Sequence, residues 1–180
     1  MKRFSRFLVV TVFWALVVYA ADNDHKTVHG SITKLDSEAK TLVVKTKQSE
    51  MTFRFLDSTK VQGVEKALAG SKSEFKGLSE GSEVIVHYWE GDGQKSAYEI
   101  DKVGKDGVKY LDGAVTKVGK GGKTVSIKTA DGTQHTFEVA GTDTEDAAKK
   151  VEKASAKTGK VTVYYIEDGG KKVAHYFETL

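Results

Sequence analysis

Gly30-Ser31-Ile32-Thr33-Lys34-Leu35 and Gly113-Ala114-Val115-Thr116-Lys117-Val118 are one segment written twice, 83 residues apart. Four more blocks recur in the same order. Thr41-Leu42-Val43-Val44-Lys45-Thr46 returns as Thr124-Val125-Ser126-Ile127-Lys128-Thr129, again at 83. Thr52-Phe53 returns as Thr136-Phe137 at 84, and Val64-Glu65-Lys66-Ala67 as Val151-Glu152-Lys153-Ala154 at 87. Val84-Ile85-Val86-His87-Tyr88 matches Val161-Thr162-Val163-Tyr164-Tyr165 at 77. Five blocks in unbroken order predict an internal duplication. The step from 87 to 77 places a ten-residue insertion in the first copy, near Ser71–Glu80.

Each copy carries one element order. The first strand is Val28–Leu35 or Leu111–Val118, with Gly30 or Gly113 inside it, where a bulge or sharp bend is tolerated. The second carries Leu42 and Val44, or Val125 and Ile127. The third alternates Met51, Phe53 and Phe55 with Thr52 and Arg54, or Phe137 and Val139 with Thr136 and Glu138. Strict alternation marks strands with one buried face. A short helix is expected next. In the second copy, Thr142 and Glu145 have capping-box spacing, Ala147, Val151 and Ala154 form a stripe, and Gly159 stops it; in the first copy the stripe is Val61, Val64 and Leu68, with Gly70 as the stop. The fourth strand is Val84–Trp89 or Val161–Ile166. Turns at Gly91-Asp92-Gly93 and Asp168-Gly169-Gly170 lead to a fifth strand, Ser96–Ile100 or Val173–Phe177.

Strand, strand, strand, helix, strand, strand is the order of an OB-type barrel, in which a bent first strand lets five strands close. The expected fold is therefore mainly β with one short helix per repeat, forming two tandem five-stranded OB-like barrels. An open antiparallel sheet with a helix on one face has the same periodicity. The recurring Gly-x-(Ile/Val)-Thr-Lys-(Leu/Val) and Thr-(Leu/Val)-x-(Val/Ile)-Lys-Thr segments, with a Gly-rich turn before Ala97 or Ala174, resemble an uncharacterised family of exported bacterial small β-barrel domains similar to the bacterial OB-fold group. The resemblance implies a fold and an exported address, and it carries over no active-site residue.

The chain of 180 residues has 28 Lys and Arg against 25 Asp and Glu, a net charge of +3. Lys2, Arg3 and Arg6 account for all of that excess, because residues 1–20 contain no acid. Phe7–Ala21 is apolar apart from Thr11 and Tyr19, and Val18-Tyr19-Ala20 supplies a cleavage site. The segment reads as an export signal helix, short for a spanning helix; an uncleaved inner-membrane anchor is the alternative. The predicted organisation is a signal peptide over 1–20, a leader over 21–27, a first repeat over 28–103, a linker over 104–110 and a second repeat over 111–180. Residues 21–109 hold 14 basic and 15 acidic groups, and residues 110–180 hold 11 and 10, so both halves are close to neutral. Bulk charge therefore does not favour nucleic acid. With no Cys, the chain has no disulfide, thiol catalysis or thiolate metal site.

Catalytic motifs are missing. There is no Gly-x-Ser-x-Gly elbow, no Walker loop and no His-Glu-x-x-His. Gly119-Lys120-Gly121-Gly122-Lys123 lies between two strands and reads as a hairpin turn, not a phosphate cradle. The pairs Glu90/Asp92 and Asp101/Asp106 read as solvated turn carboxylates. The five histidines, His25, His29, His87, His135 and His175, occupy no shared position in the two copies, which gives no repeated metal site. At the offset of 77, His87 aligns with Tyr164 and Tyr98 with His175. No cofactor is expected.

Surfaces remain. An OB barrel binds on the outer face of strands two and three, which presents Val43, Lys45, Thr52 and Arg54 in one copy and Ser126, Lys128, Thr136 and Glu138 in the other. Neither set offers aromatics for base stacking. If Val84, Val86 and Tyr88 point inward, Ile85, His87 and Trp89 point outward, as does Tyr164. The candidate binding residues are Lys45, Arg54, His87, Trp89 and Tyr164; packing between the barrels, or against Phe75 and Leu78 of the insertion, is the structural alternative for the last three. The expected function is a non-enzymatic binding or scaffold module of the bacterial envelope, with an envelope protein, peptide or glycan as partner. The alternatives are a small-ligand or cation-binding envelope stress protein and an enzyme of unknown type.

Overall fold

A computed structural model describes residues 24–64, 75, 77–104, 107–139, 148 and 160–180. Ten strands follow in chain order: β1 (Asp24–Asp36), β2 (Thr41–Lys45), β3 (Glu50–Gln62), β4 (Glu83–Gly91), β5 (Gln94–Lys102), β6 (Lys109–Val118), β7 (Thr124–Lys128), β8 (Gln134–Val139), β9 (Val161–Asp168) and β10 (Lys171–Thr179). They close into two barrels, β1-β2-β3-β5-β4 and β10-β8-β7-β6-β9. In each, the third and fifth strands run parallel and the other described pairings are antiparallel. This is OB connectivity, and closure excludes the open-sheet alternative.

The closing device is the first strand of each barrel. Asp24–Ser31 pair with β4 while Ser31–Asp36 pair with β2. Lys109–Gly113 pair likewise with β9, and Ala114–Val118 with β7. Gly30 and Gly113 sit at the handover. A Cβ at Gly30 would meet the Lys45 carbonyl oxygen, and one at Gly113 would lie 2.6 Å from the Lys128 carbonyl oxygen. Here glycine answers close approach. The bulge itself comes later, as a register shift between Ile32 and Lys34 and between Val115 and Lys117. The residues left over, Thr33 and Thr116, donate their hydroxyls across to Val43 O at 3.4 Å and Ser126 O at 3.2 Å.

Each barrel has its own core. Ile32, Leu42, Val44, Phe53, Val84 and Ile100 are among the residues that fill the first, and Val125, Ile127, Phe137, Val161, Val163 and Ala174 are among those of the second. Phe75 and Leu78, at the predicted insertion, join the first core, with the Phe75 ring 4.0 Å from that of Phe55. They therefore plug their own barrel and do not cover the outer face of β4.

Val61, expected to begin the first-copy helix, does not do so. Val61 still belongs to β3, paired with Ile100. The strand survives a register shift between Phe55 and Lys60 because the Thr59 hydroxyl donates to Ala97 O at 2.9 Å and accepts from Leu56 N at 2.8 Å. Leu68 and Gly70 lie outside the described residues. So do the second-copy helix, apart from Ala148, which is helical and fully buried in the second core, and the expected signal helix. Among the described residues no helix is long and apolar enough to cross a membrane. The turns behave as predicted. Asp92 and Gly93 take φ of 50° and 73°, and Gly169 and Gly170 take 55° and 81°. These are left-handed pairs suited to two-residue hairpins. The Gly119–Lys123 segment is a hairpin connection with a short 3-10 turn at Lys120–Gly122.

Candidate metal centre

On β4, Val84, Val86 and Tyr88 point into the first barrel's core, as alternation requires. Ile85 and His87 point out of that barrel, yet they are not at the surface: Ile85 is 0% exposed and His87 5%. The second barrel covers them. Ile85, Val103 and Val108 pack with Tyr164, and Ile166 and Tyr176 lie against this group. The outward stripe is thus an inter-barrel seam, the packing alternative raised by the sequence.

Two strand irregularities shape one end of this seam. Between β4 and β5 the register passes from His87↔Glu99 to Tyr88↔Ala97, which makes Tyr98 the extra residue of a bulge. Between β9 and β10 it passes from Ala174↔Tyr165 to Tyr176↔Tyr164, which makes His175 the extra residue of a second bulge. A bulge re-aims its side chain and bends its strand. Both bulge residues flank His87, with Tyr98 6.1 Å and His175 6.3 Å away between ring centroids.

Between the two histidines lies Asp101. The sequence reads it as a solvated turn acid; in fact it belongs to β5, opposite Ile85, and is 0% exposed. The bulge at Tyr98 is the cause, because it changes which residues of β5 face the neighbouring barrel. Asp101 Oδ2 accepts from His175 Nδ1 at 2.8 Å and from His87 Nε2 at 3.2 Å. His87 Nδ1 lies 3.1 Å from the Thr27 hydroxyl of β1. Burial pushes the Asp101 pKa up, but the hydrogen bonds and charge of His175 and His87 outweigh it and hold the carboxyl below its ordinary value. The other oxygen, Oδ1, is buried and has no hydrogen-bond partner among the described residues. Such an atom is costly unless something completes it.

One donor atom from each of His87, Asp101 and His175 can be chosen so that all lie within 4.8 Å of one another. All three residues are buried, and two imidazole nitrogens with a carboxylate oxygen make a set that suits zinc, copper or nickel. Thr27 stands behind His87 as such sites require, since a hydroxyl can accept from the far ring nitrogen as readily as donate to it.

Of the candidates singled out from the sequence, His87 enters this cluster. Tyr164 lies in the same seam but at its other end, with its hydroxyl 3.3 Å from His29 Nδ1 and from Glu178 Oε2. Trp89 is half-buried, stacked on Tyr98 at 5.2 Å and 13°, with His25 edge-on at 6.4 Å. Lys45 and Arg54 are exposed on β2 and β3, away from the cluster. On the matching face of the second barrel Ser126 is buried and bonded to Thr136 at 3.1 Å. An open groove of about 470 Å³ lies beside it, where Lys171 pairs with Glu138 and Lys172 bonds His135. Sequence reasoning missed Asp101 and His175 as a pair. The available signals were an acid directly after the core residue Ile100 and a histidine in the corresponding strand of the other copy.

No family model and no curated protein matches the chain. Among solved structures it is similar to CusF. The Ag(I) complex of CusF is 14% identical, covering 44% of this chain and 99% of that one, with a TM-score of 0.34. Residues 10–88 of CusF-Ag(I) from Escherichia coli are 14% identical over 47% and 98%, also at 0.34. Residues 6–88 of apo-CusF from Escherichia coli are 13% identical over 50% and 100%, at 0.36. Likeness at this level says nothing of what this chain binds.

Proposed function

We propose that this protein is an exported, non-enzymatic binding module of the bacterial envelope, made of two tandem barrels, and that its ligand is a metal cation held at His87, Asp101 and His175. The observation that carries this reading is the state of Asp101. It is a fully buried carboxylate with one oxygen shared by two imidazoles, the other without a partner, and no Lys or Arg paired with it among the described residues. Buried anions are paired with cations or coordinate metals. Export is supported by the charged and apolar character of residues 1–20.

Calorimetric titration of the purified protein with Zn²⁺, Ni²⁺ and Ca²⁺ tests it. One transition-metal ion per chain should bind, and the double substitution His87→Ala with His175→Ala should abolish binding. Binding of none of these ions sinks the reading. A scaffold reading would then stand, favoured by the fact that His87 and His175 already satisfy Asp101 Oδ2 and so fasten one barrel to the other.

A further inference from the structure

The three donors do not come from one barrel. His87 and Asp101 stand on β4 and β5 of the first, and His175 on β10 of the second. Building on the cation reading above, we propose that the ion is a borderline divalent cation of the zinc and nickel type and that it works as a latch, so that binding it and docking the barrels are one linked equilibrium.

The ion class follows from the donors. Two imidazoles and one carboxylate lack the all-oxygen cage of calcium and the sulfur ligands of copper(I) or silver(I). The chain has no Cys, and its two Met are Met1 and Met51; Met51 packs against the first barrel's core.

The linkage follows from distances. A tetrahedral ion with bonds of about 2.0–2.1 Å holds its donors about 3.3 Å apart. The two His–Asp pairs, at 3.2 and 2.8 Å, are close to that spacing already. The two histidine donors lie within 4.8 Å of each other. Drawing His175 toward His87 moves β10 toward β4, and with them one barrel toward the other. The apolar part of the seam is centred on Ile85, Val103, Val108 and Tyr164, and interfaces between domains of one chain permit relative motion. Reciprocity then requires that anything loosening the seam weakens the ion, even a residue that offers no donor.

The test uses the native absence of cysteine. Spin labels on Arg54→Cys and Lys128→Cys, two exposed positions on different barrels, report the inter-barrel distance by pulsed electron resonance. Zn²⁺ should shorten and narrow the distance distribution, EDTA should reverse the change, and Ca²⁺ should do neither. In calorimetry Tyr164→Ala should lower Zn²⁺ affinity about tenfold, in the range of coupled sites. Circular dichroism of that variant checks that the strands are intact, and Lys47→Ala provides a milder loosening if they are not. If Zn²⁺ binds but the distances stay unchanged, or if both loosened variants bind like the native protein, the latch is wrong and the cation reading survives. If Ca²⁺ binds in place of Zn²⁺, the ion class is wrong. If no ion binds, both proposals fall.

Discussion

The seam between the barrels has two polar ends built from matching positions, and they differ in chemistry. At one end stand His87 and Asp101. At the offset of 77 their counterparts at the other end are Tyr164 and Glu178. Asp101 is fully buried and meets two imidazoles, one of them from the opposite barrel. Glu178 is partly open and meets Lys47 Nζ at 2.9 Å, the Tyr164 hydroxyl at 3.3 Å and His29 Nδ1 at 3.7 Å. The Glu178 end thus carries its own ammonium, whereas among the described residues the Asp101 carboxylate meets only two imidazoles. The two barrels offer equivalent places along the fold; the side chains placed there decide whether the carboxylate meets an ammonium or two imidazoles.

Asp101→Ala removes the acid that both histidines address and should cost about 3–5 kcal/mol in chemical denaturation, the scale for breaking a buried pair. A cost below about 1 kcal/mol would mean that the two ends are equivalent after all. Next comes Tyr164→Phe, which keeps the ring and deletes the hydroxyl. It should cost about 1 kcal/mol. It should also change the alkaline limb of stability. Burial, aided by the charges of Glu178 and Glu83, holds the Tyr164 phenol well above its ordinary value. The fold therefore favours the neutral phenol. That contribution is complete below about pH 10, where an unfolded tyrosine titrates, and is lost as pH rises through the higher folded value. A pH series of thermal melts should fall less steeply above pH 10 in Tyr164→Phe than in the native chain; identical slopes would remove Tyr164 from the account. The smallest effect belongs to Lys47→Ala. Its ammonium is largely exposed, at 66%, so the loss should stay under about 1 kcal/mol and shrink further in high salt.

Much of the fold was legible because it rests on local rules. Alternation along Phe53 and Phe55, or Phe137 and Val139, reports which face is buried whatever lies beyond. The Asp92-Gly93 and Gly169-Gly170 turns need left-handed backbone that few residues supply. The site was less legible. His87 could be picked out as an outward side chain on a strand, but its burial depends on a neighbour that β4 does not encode. Asp101 looked like an acid near a turn, because the bulge at Tyr98 that turns it into the seam leaves no mark in hydrophobic periodicity. Val61 misled in the opposite direction: its spacing to Val64 and Leu68 suits a helix, but the Thr59 hydroxyl carries β3 past its irregularity and keeps Val61 in the sheet.

By itself the sequence determined the strand order, the hairpin turns and the glycines at which each barrel closes, since these follow from backbone conformation and from contacts between neighbouring strands. Only the tertiary structure decided that His87 of one barrel and His175 of the other share a single carboxylate. That meeting depends on two register shifts and on the way two closed surfaces dock, and neither has a period that a linear pattern can carry.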